Sequence, residues 1–440
     1  MTRNPTSGAE RVAVTGFGLV TPLGLDAEST WSRLLKGASA IEGRLLDTNH
    51  RVAIAALEAE DLVGVDDRAR VVSDRVTLLG VSAAAMAMES ARLSVGSRDK
   101  DGNIDAECMS IMVGTSFGGI GSLIQEDRRT RDGKARVSPR LVTRAIPSAL
   151  ASHLAIQYRI TGPVMTYLGD CAASAQALGE AMVAILAGRS DRALVGGADS
   201  LFVDPLMLSL VAAGALATLG PEESAEGAVC PFGHGRRGMA LGEGAAFFVL
   251  EREALARARG AAIHAFLVGY GAGNDAYHVT APEPGGFGAE RVMRMALRSA
   301  NAVPTDIGYV SAHATGTMLG DAAEAAALRR VFADCAAVPV SSIKGALGHS
   351  LGAAGAIEAA LSVLALRAQT APPNTGAERP SADAPPGLVL EPRKIQPVAL
   401  VMSNSFGFGG HNVSLIFAPG DPASGAVNSD CNASTNQSLD

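Results

Sequence analysis

The chain has 440 residues, 48% of them hydrophobic and only 4% aromatic, with 44 acidic and 37 basic side chains and a net charge of −7. That length suffices for two domains or two fused halves around a large aliphatic core, and the acidic balance argues against wholesale nucleic-acid binding. Cys108, Cys171, Cys230, Cys335 and Cys431 show neither paired spacing nor C-x-x-C, no apolar run has the length of a membrane helix, and the N-terminus lacks a signal-peptide core, so a reduced cytoplasmic chain with free thiols is expected.

In chain order, short apolar strand-like runs alternate with longer helical patterns. The strands expected are "RVAVTGFG" (11–18), "SIMVGTSFGG" (110–119), "RALVGGADS" (192–200) and "AAFFVLE" (245–251), with helices at 148–158 and 288–301 between or after them. Alternation of this kind predicts layered α/β architecture. The sequence also repeats itself. A small-residue helix opening at Cys171 is followed by the strand at 192–200. In the second half "GHSLGAAGAIEAALSVLAL" (348–366) is followed by a strand "PVALVMSNS" (397–405), with His349 expected where Cys171 stands. "IMVGTSFGGIG" (111–121) likewise parallels "YVSAHATGTMLG" (309–320). A duplicated unit would set equivalent turns face to face across a pseudo-two-fold axis. The last twenty or so residues are rich in Ser, Asn, Asp and Ala, which predicts a disordered tail.

Four places carry chemistry. In "YLGDCAASAQALGEAMVAILAG" (167–188), Cys171 sits where a turn becomes a helix, among side chains too small to crowd it. A helix N-terminus lowers a thiol pKa, which suits a nucleophile; the alternative is a buried structural cysteine. His313, in "SAHATGTMLGD", follows an apolar run and so falls at a strand end, where α/β folds bind ligands, unless it serves as a cap or core residue. His349 lies in a glycine-rich turn before a helix, with Lys344 before it and Glu358 after it, the latter two being an ion pair or two solvated charges. The segment lacks the GK[ST] of a phosphate loop. "NSFGFGGHN" (404–412) interleaves Phe406 and Phe408 with glycines, either to turn N–H groups toward a hydrophobic site or simply to pack a turn.

Together these residues carry a family likeness. From "VAVTGFGLVTPLG" (12–24) to "SLIFAP" (414–419), through "IPSALASHLAIQYRITGP" (146–163), "LGEGAAFFVLE" (241–251) and "NDAYHVTAPEPGG" (274–286), the chain resembles a β-ketoacyl-acyl-carrier-protein synthase. The likeness is to the elongating type of fatty-acid and type II polyketide synthesis, within the thiolase-fold condensing enzymes. It implies an α/β fold of five layers, α-β-α-β-α, built from two duplicated halves, 1–260 and 261–419, with 420–440 as tail. It implies decarboxylative condensation of a Cys171-bound acyl chain with a malonyl group on an acyl carrier protein. His313 and His349 would hold the malonyl thioester, and Lys344 and Glu358 would orient the His349 turn. The N–H groups of Cys171 and Phe408 would form an oxyanion hole, with Phe406 and Phe408 at the gate. Thr280, Thr315 and Thr317 would bind the phosphopantetheine arm. No cofactor and no metal is implied, since the substrates ride on the carrier's phosphopantetheine. Partners would be the carrier protein and a second subunit, identical or a chain-length-factor-like homologue, with no nucleic acid and no membrane.

Chemistry agrees with the likeness: Cys is both nucleophile and leaving group, fixed N–H donors stabilise a thioester oxyanion, and neutral histidines suit the working pH. Retention of both histidines favours condensation over a relative that passes its acyl group to an alcohol or amine. The intact Cys, His and Lys set argues against a non-catalytic scaffold, and the C-terminal loop has no second cysteine, as a thiolase would require. Departures from the family pattern cluster at the motifs: Asp170 before the cysteine, Ala314 after His313, Arg237 and Met239 in "RRGMALGEGA", and His411 after the glycine loop. Asp170 is expected to point away from the thiol and to cap or pair elsewhere. The departures point to a specialised synthase. Basic residues concentrate at 127–144 and at Arg68, Arg70 and Arg75, two candidate docking patches for an acidic carrier.

Overall fold

The computed structural model describes residues 10–58, 62–94, 105–133, 136–335, 337–396 and 400–421. Five strands of the main path come from before residue 260: β1 (Val12–Val20), β2 (Met109–Gly114), β3 (Val164–Tyr167), β4 (Arg192–Ser200) and β5 (Leu241–Arg252). Five follow it: β6 (Ala265–Asn274), β7 (Ile307–Ser311), β8 (Val340–Ser341), β9 (Leu400–Phe406) and β10 (His411–Pro419). They form one hydrogen-bonded path, β3-β2-β4-β5-β1-β6-β10-β9-β7-β8. Counted outward from the central pair, each set of five reads 1-5-4-2-3. The directions repeat too. The inner two pairings of each set are antiparallel and the outer two parallel. Across the middle, β1 meets β6 through Val12, Ala13 and Val14 opposite Leu267, Phe266 and Ala265.

The helices that matter to the site are α1 (Arg75–Ser90), α2 (Ile120–Arg131), α3 (Ala149–Tyr158), α4 (Ala173–Leu186), α5 (Phe287–Ser299), α6 (Met318–Val331) and α7 (Ala354–Ala368). Three hydrophobic cores define the layers. One joins α1 and α3 to one face of the half-sheet β1–β5 (the first sheet below), and one joins α5 and α6 to one face of the half-sheet β6–β10 (the second). The third sandwiches α4 and α7 between the two sheets. The strands read as near-continuous apolar runs, as strands covered on both faces must; all nine residues of β1 are buried. Small residues let α4 and α7 touch: a side chain at Gly355 would come within 2.7 Å of Ala175 Cβ. Ser174 Oγ then accepts from the Ala356 N–H at 2.8 Å, tying the two helices together where they meet.

The duplication holds in detail, but its register differs from that read in the sequence. Asp170–Ala172 and Leu351–Ala353 are matching 3-10 turns that lead into α4 and α7. Asp170 and Leu351 both take a φ of 49°, a left-handed conformation rare outside glycine. The positional counterpart of Cys171 is therefore Gly352, and His349 stands three residues earlier. A second correction concerns hydropathy. Leu351–Ala368 does have the length and mean hydropathy (1.5) of a membrane span, but 83% of it is buried, since it is a core helix covered by two sheets. Residues 397–399 of the last expected strand and 422–440 of the expected tail lie outside the described residues, as does Cys431.

Candidate active site

Cys171 lies in the turn that precedes α4, 7% exposed, flanked by Ala172 and Ala173. Asp170 just before it takes a left-handed backbone, and the turn runs straight into α4. Burial pushes the thiol pKa up, Asp170 adds to the rise and Lys344 opposes it. The lowered thiol pKa expected from a helix N-terminus is thus overturned. Desolvation of a fully enclosed thiolate outweighs the helix dipole, and an anionic neighbour adds to it.

His349 answers that need. Its Nε2 lies 2.9 Å from Cys171 Sγ, although 178 positions separate them in the chain. The His349 backbone is pinned on both sides: its N–H donates to Ala240 O at 2.8 Å, and its carbonyl accepts from Gly242 N–H at 2.9 Å. His313 follows β7 by two residues, and its ring stands edge-on to His349, centroids 5.2 Å apart at 81°. One donor atom from each of Cys171, His313 and His349 lies within 4.8 Å of the others. Burial, and next the charge of Lys344, hold both imidazoles well below their ordinary pKa, so both are neutral at neutral pH. Both Nδ1 atoms are buried without a partner. A buried bare acceptor costs less than a buried unpaired N–H, which assigns the proton to Nε2 in each ring. The site therefore presents two uncharged N–H donors beside one thiol.

Behind the histidines stand buried charges. Lys344 and Glu358 form an ion pair, 1% and 0% exposed; burial raises the Glu358 carboxyl to about 7. Sequence reasoning singled out that pair but missed three further acids. Glu324 accepts from the N–H groups of His313 (3.0 Å) and Ala314 (2.7 Å) and from Asn404 (3.2 Å). Asp321, one turn earlier on α6, accepts from Thr315 (3.0 Å) and Gly316 (3.1 Å). The two acids stand three apart on a helix of alanines, a spacing that puts both on one face and was the available signal. Asp199 accepts from Thr115 Oγ1 (2.9 Å), Ser116 N–H (2.7 Å) and Gly352 N–H (2.8 Å), joining the two halves directly beneath the turns.

Burial raises the Asp199 carboxyl from 3.8 to about 6. A raised carboxyl stabilises the fold fully below its unfolded value and loses that contribution as pH rises through the folded one. The Asp199→Asn penalty measured by denaturant unfolding is therefore expected to be larger at pH 4 than at pH 7.5, by about 2 kcal/mol at 1.36 kcal/mol per pH unit. An equal penalty at both values would show that this carboxyl does not titrate so.

The remaining expected residues divide. Thr315 and Thr317 hydroxyls meet at 3.0 Å next to His313. Thr280 is exposed and its N–H donates to His278 Nδ1 at 3.1 Å. Phe408 packs in the apolar cluster of Cys171 with Leu201, Met207, Leu216 and Met239. Phe406 instead stacks obliquely on His313, centroids 5.8 Å apart, so it buttresses that ring from a different cluster. Neither the Cys171 nor the Phe408 N–H bonds to another loop's backbone. Among the departures, Ala314 has no left-handed backbone, so a Cβ fits there at no cost. Arg237 lies at the surface, paired with Glu223. Asp170 caps no helix and forms no ion pair within 4 Å among the described residues, and its charge adds to the rise in the thiol pKa. Arg75 also differs from expectation. It turns inward to Glu243 (2.5 Å) and Leu57 O (2.6 Å), and the Arg68 side chain lies outside the described residues.

Residues 9–256 match the family model described as "Beta-ketoacyl synthase, N-terminal domain", and residues 264–378 match its C-terminal counterpart. The chain is 35% identical over 421 residues to 3-oxoacyl-[acyl-carrier-protein] synthase 2 of Rhizobium meliloti, covering 92% of this chain and 98% of that one. It is 34% identical over 416 residues to the synthase of the same name from Staphylococcus aureus (strain COL), covering 93% and 98%. Among solved structures, the ishigamide ketosynthase/chain length factor superposes with a TM-score of 0.82 at 30% identity, covering 94% of this chain and 100% of that one. A type II ketosynthase solved in complex with its acyl-carrier protein gives 0.81 at 27%, covering 94% and 100%. A β-ketoacyl synthase from Burkholderia phymatum STM815 gives 0.82 at 29%, covering 93% and 99%.

Proposed function

The chain belongs to the β-ketoacyl synthase family, and on that premise we propose that it joins an acyl group held on Cys171 to the two-carbon enolate of a malonyl group carried by an acyl carrier protein. The observation that carries this is the buried Cys171–His349–His313 cluster, with His349 Nε2 at 2.9 Å from the thiol. In the first half-reaction Cys171 sulfur attacks the acyl thioester, and the carrier's thiolate leaves and takes up the thiol proton. The His349 N–H steadies the sulfur while it is anionic, offsetting the burial that otherwise keeps it protonated.

In the second half-reaction the two Nε2–H groups converge on the malonyl thioester oxygen. The bond to the carboxylate breaks, carbon dioxide leaves, and the electron pair moves to that oxygen as an enolate. Its carbon then attacks the acyl carbonyl and expels the Cys171 thiolate. Two neutral donors suit this step because they strengthen as the oxygen gains charge without binding the malonyl carboxylate tightly beforehand. Lys344 contributes positive potential to the same place, which favours the developing negative charge on the thioester oxygen. Every step uses groups of the chain and its substrates, and no cofactor is proposed. The roles of Thr315, Thr317 and Thr280 on the pantetheine arm, and of Phe408 as gate and oxyanion donor, are part of the proposal.

The reading puts carrier docking at a cleft of about 350 Å³ with Arg70 on one side and Arg144 on the other, the guanidinium of Arg75 at its wall being already engaged by Glu243. The open edge of β3, with Val164 and Met165 exposed, is the surface for a second subunit, since an unpaired apolar strand edge invites a partner strand. The compartment is the cytoplasm, where the four described cysteines stay reduced.

Mass spectrometry of products from malonyl carrier and a panel of acyl carriers tests the reading. A β-keto product two carbons longer supports it; acyl transfer to an alcohol or amine without release of carbon dioxide would sink it. His313→Ala should leave acylation of Cys171 within a few-fold of the parent. Carbon dioxide release should slow by about 10²–10³, as expected for loss of one of two oxyanion donors.

A further inference from the structure

The loop that carries His313, Thr315 and Thr317 is tied down by Asp321, and a chain of charges connects Asp321 to the surface. One Asp321 oxygen takes the Thr315 and Gly316 N–H groups, and the other accepts the Phe232 N–H at 2.7 Å. Phe232 is wholly buried with a left-handed backbone, φ 55°, so that bond secures a conformation rare outside glycine. The Gly238 N–H donates to Gly316 O at 3.0 Å. Segment 230–238 thus lies directly against the His313 loop.

Arg236 belongs to that segment, and its side chain is 5% exposed. Its Nε has no hydrogen-bond acceptor and faces Asp321 Oδ2 at 3.9 Å; among the described residues no other Lys or Arg lies within 4 Å of that carboxylate. The fork of the guanidinium is held by Asp383, Nη1 donating to Oδ1 at 3.0 Å and Nη2 to Oδ2 at 2.7 Å, and Nη1 also donates to Ser381 Oγ at 2.7 Å. Nη2 reaches Met318 O at 3.3 Å, at the start of α6, the helix that carries Asp321 and Glu324. Asp383 is partly exposed, and a bidentate partner fixes the plane of a guanidinium as a single bond would not. One cation therefore answers two carboxylates, one buried and one at the surface, and the grip of Asp383 sets where the charge beside Asp321 sits.

We propose that Arg236 and Asp383 are positioning residues for the half-reaction that releases carbon dioxide: they keep Asp321 an ionised acceptor, and through it they hold the loop that aims His313 and presents Thr315 and Thr317. The inference rests on the reading of His313 as a donor to the malonyl thioester. A buried carboxylate that loses its cation takes up a proton, which turns one acceptor into a donor among the N–H groups of Thr315, Gly316 and Phe232, and the loop shifts. Cys171 and His349 are insulated from that shift. The chain after Arg236 is pinned again at Met239, whose N–H donates to Ala215 O (2.9 Å) and whose carbonyl accepts from the Ala217 N–H (2.8 Å), before it reaches the Ala240 carbonyl that holds His349.

The test measures the two half-reactions separately on the full-length chain: carbon dioxide release from malonyl carrier, and transfer of label from acyl carrier to Cys171. Arg236→Met should lower the kcat of carbon dioxide release by about 10- to 100-fold, the scale expected when a catalytic group is present but misplaced, with acylation within about threefold of the parent. Arg236→Lys, which keeps the charge and loses the fork, should recover part of that loss. Asp383→Asn should cost less than Arg236→Met, and adding it to Arg236→Met should cost nothing more, since the two act through one guanidinium. Equal slowing of both half-reactions in Arg236→Met, or carbon dioxide release within about twofold of the parent, overturns the proposal. If that variant does not fold, Asp383→Asn decides: unless it slows carbon dioxide release several-fold more than acylation, the proposal fails. A parent chain that takes the acyl label on Cys171 but releases no carbon dioxide would instead remove the reading of His313, and this inference with it.

Discussion

Cys171→Ala is expected to abolish condensation, lowering the yield of extended product by at least about a thousandfold, while the protein folds as before. The side chain removed is small and its neighbours Ala172 and Ala173 hold the turn without it, so the unfolding temperature should move by no more than a few degrees. Carbon dioxide release from malonyl carrier should persist at a reduced rate. The two imidazole N–H groups act on the malonyl oxygen and do not depend on the thiol for their tautomer, since their unpartnered Nδ1 atoms set it. Radiolabelled acyl carrier would show no protein-bound label, and labelled malonyl carrier would show continued carbon dioxide release. Retained acyl label on the variant would mean that another residue is the nucleophile.

Lys344→Met is expected to be the most destabilising single change in the site. It leaves Glu358 wholly buried with Ser405 Oγ at 3.5 Å as its remaining contact. Removing one partner of a buried pair costs about 3–5 kcal/mol because the other charge stays behind. With Lys344 gone, the Glu358 carboxyl rises above its present value near 7 and takes up a proton on folding. A raised carboxyl is worth most below its unfolded pKa and loses its contribution as pH rises. The variant should therefore be closer to the parent at pH 5 than at pH 8. Adding Glu358→Gln should recover much of the stability, since it removes the orphaned charge, but not the activity, because the positive potential beside both histidines is lost. Denaturant unfolding of the four combinations at both pH values checks this. If Lys344→Met were as stable as the parent at pH 8, the buried pair would carry little of the structural role assigned to it.

Much of the architecture was legible in order and period. Strand runs at 192–200 and 245–251 reappear within β4 and β5, and the helix expected at 148–158 is α3 within one residue. These are local signals: an apolar run bounded by turn residues states its own conformation. The motif residues Cys171, His313, His349, Lys344 and Glu358 could be picked out for the same reason, since their unusual settings are written in neighbouring letters. Phe406 was read with Phe408 because only Gly407 separates them, but Phe406 ends β9 while Phe408 lies in the turn after it, where the strand's alternation no longer holds, and each joined a different cluster.

What the sequence by itself determined is the alternation of strands and helices, the repeat, and the order in which a thiol, two imidazoles, a lysine and a glutamate occur. Only the tertiary structure decided that Gly352, not His349, is the counterpart of Cys171, because that equivalence is set by matching turns and backbone angles. It also decided the sign of the thiol's shift and the neutrality of both histidines. Those properties come from desolvation and from Coulomb interactions between groups hundreds of residues apart, and both depend on distances in space that no spacing along the chain records.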